Sequence, residues 1–297
     1  MRPAITVGIP FFNSAATLLE SIRSVYAQSF TDWELLLVDD GSSDASLDIA
    51  QSICDPRVRV ISDGVNRGLV YRLNQMISLA QAPYFARMDA DDLMHPERLA
   101  RQMGCLSGHP VLDIIGSAAY VIDSAGRPYG IRGDRPASLV TAGVRSGFIH
   151  PTVVAKTEWF RRHLYDAEYV RAEDMELWHR ADPKTVCARL LDPLLFYREP
   201  LEFHPAKYRA SCRTIRKIIR RYRPGTGPSS TLAVLAGTYA KEGLHLALSR
   251  CGLVSSLIRR RARACEGREL ERAYLALQEI ERTSVPARES VRLLAGD

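Results

Sequence analysis

The chain has 297 residues, of which 46% are hydrophobic and 25% charged. This ordinary composition excludes the disordered and collagen-like classes, and the length fits one large α/β domain or a catalytic domain with a smaller appendage. The six cysteines are scattered without a CxxC pair, which argues against structural zinc or a disulfide framework and favours a reducing, cytoplasmic setting. No segment reaches about 18 uncharged apolar residues, so we expect no membrane span.

Charge divides the chain into two parts. Residues 1–203 carry 21 Lys and Arg against 26 Asp and Glu, a balance of −5. Residues 204–297 carry 19 against 8, a balance of +11. This asymmetry predicts two units with different surfaces, divided between residues 203 and 204.

Apolar runs alternate with helical patterns over the first hundred residues. Strands are predicted at 5–9 (ended by Pro10), 34–38, 58–61 and 84–88, and helices at 15–27, 44–53 and 68–80. Alternating strands and helices form βαβ units, so we expect an α/β fold with a mainly parallel sheet flanked by helices.

The later part of the chain is less regular. It has strand-like runs within 111–122, a turn at 123–127 that predicts a hairpin, a strand-like stretch at 152–154 and a helix at 172–180. Beyond residue 204 the pattern predicts a helical extension. Its apolar residues recur at helical spacing near 212–222 and 270–280, with a linker or tight turn at 224–228.

Three side chains come just past the carboxyl ends of predicted strands. They are Phe12, Asp40 and Asp89. In mainly parallel sheets, ligands bind at this edge. We therefore expect these three residues to converge on one site.

Three carboxylates lie within four positions after the fourth predicted strand. Asp89, Asp91 and Asp92 repel one another unless a cation lies between them. Mg²⁺ or Mn²⁺ with oxygen ligands is the simplest answer, and such a metal usually also holds a phosphate. The alternative is that Asp91 or Asp92 only caps the helix expected after Pro96.

Several motifs resemble, in this order, those of the family 2 glycosyltransferases with the GT-A fold, a Rossmann-like fold. They are VGIPFFN at 7–13, VDDGSSD at 38–44, NRGL at 66–69, RMDADD at 87–92, HPT at 150–152 and AEDMELW at 172–178. The similarity covers about residues 4–200. It implies an inverting transfer of a sugar from a nucleotide diphosphate to a hydroxyl acceptor, with the nucleotide sugar bound by about 1–106 and the acceptor by about 107–203.

The resemblance identifies the acidic cluster as the DxD motif of the family. It implies that Asp91 holds Mn²⁺ or Mg²⁺ most directly. Asp89 would bind the metal through water or contact the ribose hydroxyls. Asp92 could share the metal or cap the helix, and the sequence does not rank the two. The metal would neutralise the negative charge that grows on the diphosphate leaving group.

The resemblance also implies a base-binding loop that includes Pro10, Phe12 and Asn13. Because Phe11 and Phe12 are consecutive, one should face the core, and we expect Phe12 to face the ligand.

Two further residues match the nucleotide site of the family. Asp40 matches the carboxylate that accepts a hydrogen bond from the base, whereas Asp39 is expected to support the turn. Arg67 is placed to meet the base or a phosphate, and the alternative for Arg67 is a solvated loop side chain.

Direct displacement also needs a base that takes the proton of the acceptor hydroxyl. Asp174 fits the catalytic carboxylate of the family, with Glu173 as the fallback. The alternative for Asp174 is a surface acid favoured by the helix dipole. His150 could meet the diphosphate or the acceptor, and it ranks below Asp174.

We therefore predict a metal-dependent hexosyltransferase that acts in cell-surface polysaccharide, lipopolysaccharide or glycan biosynthesis. A UDP-sugar is the favoured donor, and the acceptor is a glycan, a lipid-linked molecule or a protein. A sugar-1-phosphate nucleotidyltransferase is the alternative enzyme, although it would need a Gly-rich phosphate loop where this chain has PFFN at 10–13.

The basic extension leaves two questions open. Its helix near 212–222 either lies on an anionic membrane, which would make the protein peripheral to the inner face of that membrane, or packs on the catalytic domain. The chain could also, as a different class, bind nucleic acid through this tail. No helix-turn-helix, zinc-finger or RNA-binding motif is visible, so no specific nucleic acid is expected.

Overall fold

The computed structural model describes residues 2–134, 140–142, 147–199, 202–222 and 228–287. The strands in these ranges are β1 (Ile5–Phe11), β2 (Trp33–Asp39), β3 (Val58–Ile61), β4 (Tyr84–Arg87), β5 (Leu93–Met94), β6 (Ile114–Ile122), β7 (Pro128–Arg132), β8 (Val140–Ala142), β9 (Val154–Lys156), β10 (Val186–Arg198) and β11 (Arg263–Ala264). The helices are α1 (Leu18–Tyr26), α2 (Ser46–Gln51), α3 (Leu69–Leu79), α4 (Arg98–Gly108), α5 (Thr157–Arg162), α6 (Glu173–Arg180), α7 (Pro205–Tyr222), α8 (Pro228–Arg250), α9 (Val254–Arg259) and α10 (Gly267–Arg282).

The strands form one sheet in the order β11-β7-β6-β9-β4-β1-β2-β3, with β10 beside β6 and also paired with β5 and β8. The strands β3, β2, β1 and β4 are parallel to one another, and β10 is parallel to β6. The strand β9 is antiparallel between β4 and β6, and β7 forms the predicted hairpin with β6. The predicted α/β fold with a mainly parallel sheet flanked by helices is confirmed.

The continuous apolar run of β2 is buried on both faces of the sheet. Leu35 and Leu37 pack in one cluster with Ile22 of α1. Leu36 and Val38 face the other way and pack in a cluster with α3. Burial on both faces explains why β2 lacks the alternation of polar and apolar residues that a half-exposed strand shows.

The first strand continues through Pro10, where the sequence predicted its end. Pairing between β1 and β4 stops at Gly8, whereas pairing with β2 continues as far as Phe11. Proline cannot donate to a ladder, and it is tolerated where no ladder bond is needed. At Pro10 the neighbour β4 has already ended, so the strand loses no hydrogen bond there.

Two predictions for the later part need correction. The stretch 152–154 was expected to be a strand, but His150–Thr152 is a 3₁₀ turn and β9 begins at Val154. The sequence also assigned no element to β10, a strand of 13 residues. Its pairing with β6 is irregular on both sides of Pro193, which breaks the apolar pattern that would have revealed it.

The extension is helical, as predicted, and packs against the first unit at two places. Buried Ile218 of α7 joins a small cluster with Tyr169 and Ala172. Ile280 of α10 lies in a cluster with Tyr120 of β6. The boundary between 203 and 204 stays a prediction, and the linker predicted at 224–228 lies, apart from Pro228, outside the described residues.

None of the helices in the described ranges combines the length and hydropathy that a bilayer crossing requires.

Candidate active site

The ends of β1, β2 and β4 bring Phe12, Asp40 and Asp89 to one edge of the sheet. Phe11 lies opposite Asp39 in the register of β1 and β2, and the amide of Asp40 donates to the carbonyl of Phe11 at 2.8 Å. The strand β4 lies on the other side of β1. The convergence expected from the sequence is therefore present in the fold.

The loop after β1 separates its two phenylalanines. Phe11 is buried at 2% exposure, whereas Phe12 is 47% exposed. Asn13 adopts the left-handed region with φ 49°, and its side-chain oxygen accepts a hydrogen bond from the amide of Ser43 at 2.8 Å. Pro10 is buried within β1. Phe12 is thus the member of this loop whose side chain is available to a ligand, while Asn13 ties the loop to the one after β2.

Asp40 is buried and organises the loop before α3. Its carboxylate accepts hydrogen bonds from the amides of Arg67 at 2.8 Å and Gly68 at 3.0 Å, and from Nε of Arg72 at 2.9 Å. Asp39 accepts from the amide of Ser42 at 2.9 Å, in keeping with the turn-supporting task expected of it. Contact between Asp40 and a base stays a prediction.

Arg72 is a site residue that the sequence analysis missed. Its side chain is fully buried and also reaches Asp63 at 2.6 Å. Arg67 binds the same Asp63 through Nε at 2.8 Å, and its guanidinium lies 5.0 Å from the ring centre of Tyr71. Arg72 therefore holds Asp40 in place, whereas Arg67 is the more exposed arginine on this side of the site.

The acidic cluster is compact. Ligand oxygens of Asp89, Asp91 and Asp92 all lie within 4.8 Å of one another. Loss of water and the charge of Asp89 raise the pKa of Asp91 to about 6, and burial together with both neighbours raises the pKa of Asp92 well above its ordinary value. Such mutual repulsion is what a divalent cation relieves.

Asp92 offers an oxygen that suits a cation. Its Oδ1 accepts a hydrogen bond from the amide of Arg198 at 2.8 Å, while its buried Oδ2 has no partner among the described residues. The helix α4 begins at Arg98 and is preceded by Glu97, so neither Asp91 nor Asp92 caps it, and that alternative is wrong. Carboxylate oxygens alone, one of them buried and unpaired, fit a hard ion such as Mg²⁺ or Mn²⁺.

Arg198, at the end of β10, anchors the loop that carries the cluster. Its Nε donates to the carbonyl of Asp91 at 2.8 Å, and its other nitrogens reach Glu20 at 3.0 Å and the carbonyl of Ser124 at 3.2 Å. The sequence analysis missed this residue because it assigned no strand to β10.

A cavity of 860 Å³ opens beside this edge. Arg67 and Asp89 line it together with three residues from the later part of the chain, which are His150, Glu173 and Asp174. The structure therefore brings four of the predicted site residues and the fallback Glu173 into one space. The lining does not include the other predicted residues, which are Pro10, Phe12, Asn13, Asp40 and Asp91.

Asp174 and Glu173 lie in the first turn of α6. Glu173 is buried, and Asp174 is half-buried. Burial raises the pKa of both carboxyl groups, although the nearby Arg87 opposes part of that shift. A raised pKa makes a carboxylate a better proton acceptor near neutral pH.

His150 is held as a neutral side chain. Its Nε2 lies 2.7 Å from the hydroxyl of Tyr165. Burial, aided by the charge of Arg87, keeps the pKa of His150 well below its ordinary value. A neutral imidazole can exchange a hydrogen bond with a ligand, but it contributes no positive charge to a diphosphate.

Arg87 also lines the cavity and was missed by the sequence analysis. Its guanidinium holds both oxygens of Asp89, at 2.6 and 2.5 Å, and its Nε has no partner among the described residues. The sequence signal that could have revealed Arg87 is a charged residue near the end of the apolar run 84–88, two positions before the acidic cluster.

This sheet, with an acidic cluster and an aromatic loop at its ligand-binding edge, is that of a glycosyltransferase with the GT-A fold. Residues 6–167, more than half of the chain, match the model of "Glycosyl transferase family 2". The chain therefore belongs to glycosyl transferase family 2, as the sequence motifs indicated. Membership favours a glycosyltransferase over the nucleotidyltransferase and nucleic-acid-binding alternatives.

Two relatives illustrate the similarity at the level of sequence. The chain is 33% identical over 188 residues to EpsE of Bacillus subtilis (strain 168), which is described as a glycosyltransferase. This alignment covers 60% of this chain and 66% of EpsE. It is 38% identical over 101 residues to the succinoglycan biosynthesis protein ExoO of Rhizobium meliloti (strain 1021). This alignment covers 34% of this chain and 29% of ExoO. The chain thus spans less than two thirds of these relatives.

Solved structures with low sequence identity share the fold. S. aureus TarS 1-349 in complex with UDP-GlcNAc has a TM-score of 0.61 at 18% identity, covering 99% of this chain and 84% of that one. Mannosyltransferase PcManGT from Pyrobaculum calidifontis, in complex with GDP-Man and Mn²⁺, has a TM-score of 0.55 at 17% identity, covering 100% and 79%.

Proposed function

We propose that this protein is an inverting, metal-dependent hexosyltransferase that moves a sugar from a nucleotide-diphosphate sugar to a hydroxyl acceptor. The observation that carries the proposal is the cavity that Asp89 and Asp174 line together. One of these carboxylates belongs to a cation-fitting cluster, and the other has a raised pKa suited to a proton acceptor. Transfer by direct displacement needs both functions on opposite sides of one reacting carbon.

The donor nucleotide binds, in this proposal, along the edge formed by the loops after β1 and β2. The exposed ring of Phe12 stacks on the base, with Pro10 and Asn13 shaping the same loop. Asp40 accepts a hydrogen bond from the base, and Arg67 reaches the base or a phosphate. A UDP-sugar is the favoured donor. The similar folds of TarS with UDP-GlcNAc and PcManGT with GDP-Man make uridine and guanosine donors the first to compare.

Asp91 would hold Mn²⁺ or Mg²⁺ directly, and Asp92 offers its unpaired oxygen to the same ion. Asp89 has both oxygens on Arg87, so a bond to the metal through water, or to the ribose hydroxyls, suits it better. When bound, the ion neutralises the charge that develops on the departing diphosphate. Arg87 orients Asp89 and places a fixed positive charge beside it.

Asp174 removes the proton from the acceptor hydroxyl. As the acceptor oxygen bonds to the anomeric carbon, the bond from that carbon to the diphosphate oxygen breaks, and the proton passes to the carboxylate. Attack from the face opposite the leaving group inverts the anomeric centre. Glu173, one residue earlier in α6, is the fallback base, and His150 meets the diphosphate or the acceptor as a neutral hydrogen-bonding group.

We assign donor binding to about residues 1–106 and the acceptor side to about 107–203, followed by the basic extension 204–297. The acceptor is a glycan, a lipid-linked molecule or a protein in cell-surface polysaccharide, lipopolysaccharide or glycan biosynthesis, a setting supported by the similarity to ExoO. The described residues, which include all six cysteines, contain no disulfide, in keeping with a cytoplasmic setting at or near the inner face of a membrane.

The test begins with donor binding. A panel of UDP- and GDP-sugars, each with and without Mn²⁺, is screened by thermal shift, because a ligand that binds only the folded state raises its melting temperature. We expect at least one nucleotide sugar to stabilise the wild-type chain in the presence of Mn²⁺. The stabilising donor is then used with a panel of acceptors, and the anomeric configuration of the product is read by NMR. A product with retained configuration, or no donor binding in the whole panel, would overturn the proposal.

A further inference from the structure

The helix α8 carries an apolar surface that nothing in the described part of the chain covers. None of the described side chains between residues 229 and 250 is buried. Leu232 is 65% exposed and Leu244 is 53% exposed, and Leu253, just past the helix, is 55% exposed. Exposed apolar surface of this extent on one element marks a site of interaction.

The uncovered face of α8 is distinct from the apolar face of α7. Cys212, Ile218 and Ile219 of α7 are buried, which answers the question left open by the sequence: α7 packs on the protein. Its buried Arg216 pairs with Glu242 of α8 at 2.6 Å. The surface that remains exposed is therefore the outer face of α8.

A ridge of arginines runs beside that face. Arg209, Arg213 and Arg220 are all exposed, and their helical spacing places them on one side of α7. Arg220 donates to the hydroxyl of Tyr239 on α8 at 3.3 Å, which shows that this side of α7 borders α8. An exposed apolar helix next to a row of cations is the arrangement of segments that lie in a membrane interface.

The charge of this segment is almost entirely of one sign. Residues 205–262 contain 13 Lys and Arg but a single carboxylate, Glu242, which already pairs with Arg216. A second copy of the chain docked symmetrically would bring like charges towards one another with no free carboxylate to offset them. A nucleic acid would be bound by cations and would leave the apolar face of α8 in water. An anionic lipid surface satisfies both features.

We propose that the outer face of α8, together with the arginine ridge Arg209, Arg213 and Arg220, docks the protein on a membrane surface rich in anionic lipid. The leucines of α8 enter the interface and the arginines contact the headgroups. Ser211 of α7 lines the active-site cavity, so this docking would hold the cavity close to the lipid surface. Docking would set where the proposed reaction takes place, and in that respect it rests on the proposed function. Binding to vesicles itself does not depend on sugar transfer.

The test uses the full chain and vesicles of phosphatidylcholine with or without phosphatidylglycerol, at low and high salt. Wild type should co-sediment with the anionic vesicles and be released by salt. Arg213→Glu should weaken binding by about 10-fold, because the change removes one attraction to the anionic headgroups and adds a repulsion. Leu232→Glu combined with Leu244→Glu should reduce binding at least as much.

Matched controls place the same chemical change elsewhere. Val111→Glu alters an equally exposed apolar residue after α4, and Lys184→Glu reverses an exposed charge outside the extension. Both should bind vesicles like wild type, and all variants should keep the wild-type melting temperature within a few degrees. The docking proposal would be overturned if the wild type bound neutral vesicles as well as anionic ones, or if the α7 and α8 variants bound like wild type. It would also be overturned if the wild type formed a dimer that the leucine variant does not form, or if it bound RNA but not vesicles. Loss of sugar transfer with vesicle binding intact would instead count against the proposed function alone.

Discussion

The two sides of the cavity are built in different ways. On the proposed donor side, the site residues follow neighbouring parallel strands of the sheet, and arginines hold their carboxylates: Arg72 on Asp40 and Arg87 on Asp89. On the acceptor side, the lining comes from segments far apart in the chain, and Asp174 makes no ion pair with a described residue within 4 Å.

This difference separates two chemical tasks. Carboxylates held by arginines keep a fixed orientation, which suits the binding of a base, a ribose or a metal-held diphosphate. A carboxylate that is half-buried without a bound cation has a raised pKa and takes up a proton more readily. In the proposed mechanism, the molecule thus binds a charged group on one side of the cavity and moves a proton on the other.

Removal of the proton acceptor should have the largest effect. Asp174→Asn keeps the size of the side chain and abolishes its basicity, so kcat should fall about 1,000-fold while the Kd for the donor changes less than about threefold. Calorimetry and single-turnover assays measure the two quantities. Glu173→Gln is the matched control and should retain most of the turnover. If the effects are reversed, Glu173 is the base.

The metal cluster tests the donor side. Asp91→Ala should weaken Mn²⁺-dependent donor binding by about 100-fold, because even the outer partners of a metal ligand are worth 10- to 100-fold. Donor titration with and without Mn²⁺ measures this effect, and metal-independent binding of the nucleoside should be unchanged. An unaltered donor affinity in the presence of the metal would remove Asp91 from the site.

Arg87→Lys probes the contact that keeps Asp89 in place. Lysine preserves the charge but cannot hold both carboxylate oxygens at once, so donor affinity should fall about 10-fold. Arg67→Lys, at an exposed arginine on the same side, is the control and should change affinity less. Wild-type affinity in Arg87→Lys would mean that the charge of Arg87, and not its two-pronged contact with Asp89, is what matters.

The pH profile examines the acceptor side. Burial raises the pKa of Asp174, and a base works only when deprotonated, so kcat/KM should fall about 10-fold per pH unit as the pH drops through this raised pKa. The acid limb should lie above pH 4, the ordinary range for aspartate. The residual activity of Asp174→Asn should lack this limb, and its persistence there would assign the titration to another group.

The smallest effect is expected at the base-binding loop. Phe12→Ala removes a stacking ring worth about 1 kcal/mol, which is roughly fivefold in the Kd of the free nucleotide. Phe12→Tyr keeps the ring and should bind like wild type. A loss that appears only with the sugar attached would mean that Phe12 contacts the sugar and not the base.

The meeting of Phe12, Asp40 and Asp89 at one edge could be predicted from the sequence because each of them closely follows a strand that the apolar pattern reveals. The arginines that orient those residues could not be predicted from the sequence. Arg72 lies 32 positions from Asp40, and Arg198 lies 107 positions from Asp91, at the end of a strand whose pattern is broken at Pro193. Local patterns identify groups that face a ligand, but the contacts that hold them depend on how distant segments meet.

The packing of α10 affects folding during synthesis as well as the stability of the folded chain. Cluster members Tyr120 and Phe196 receive Ala273 and Ile280 from the C-terminal end of the chain, while α10 also contacts α1 near the N-terminus. During synthesis, one flank of the catalytic sheet remains uncovered until these late residues emerge from the ribosome. We therefore expect a chain cut after residue 203 to aggregate, and stop codons late in the gene to be as damaging as errors in the active site.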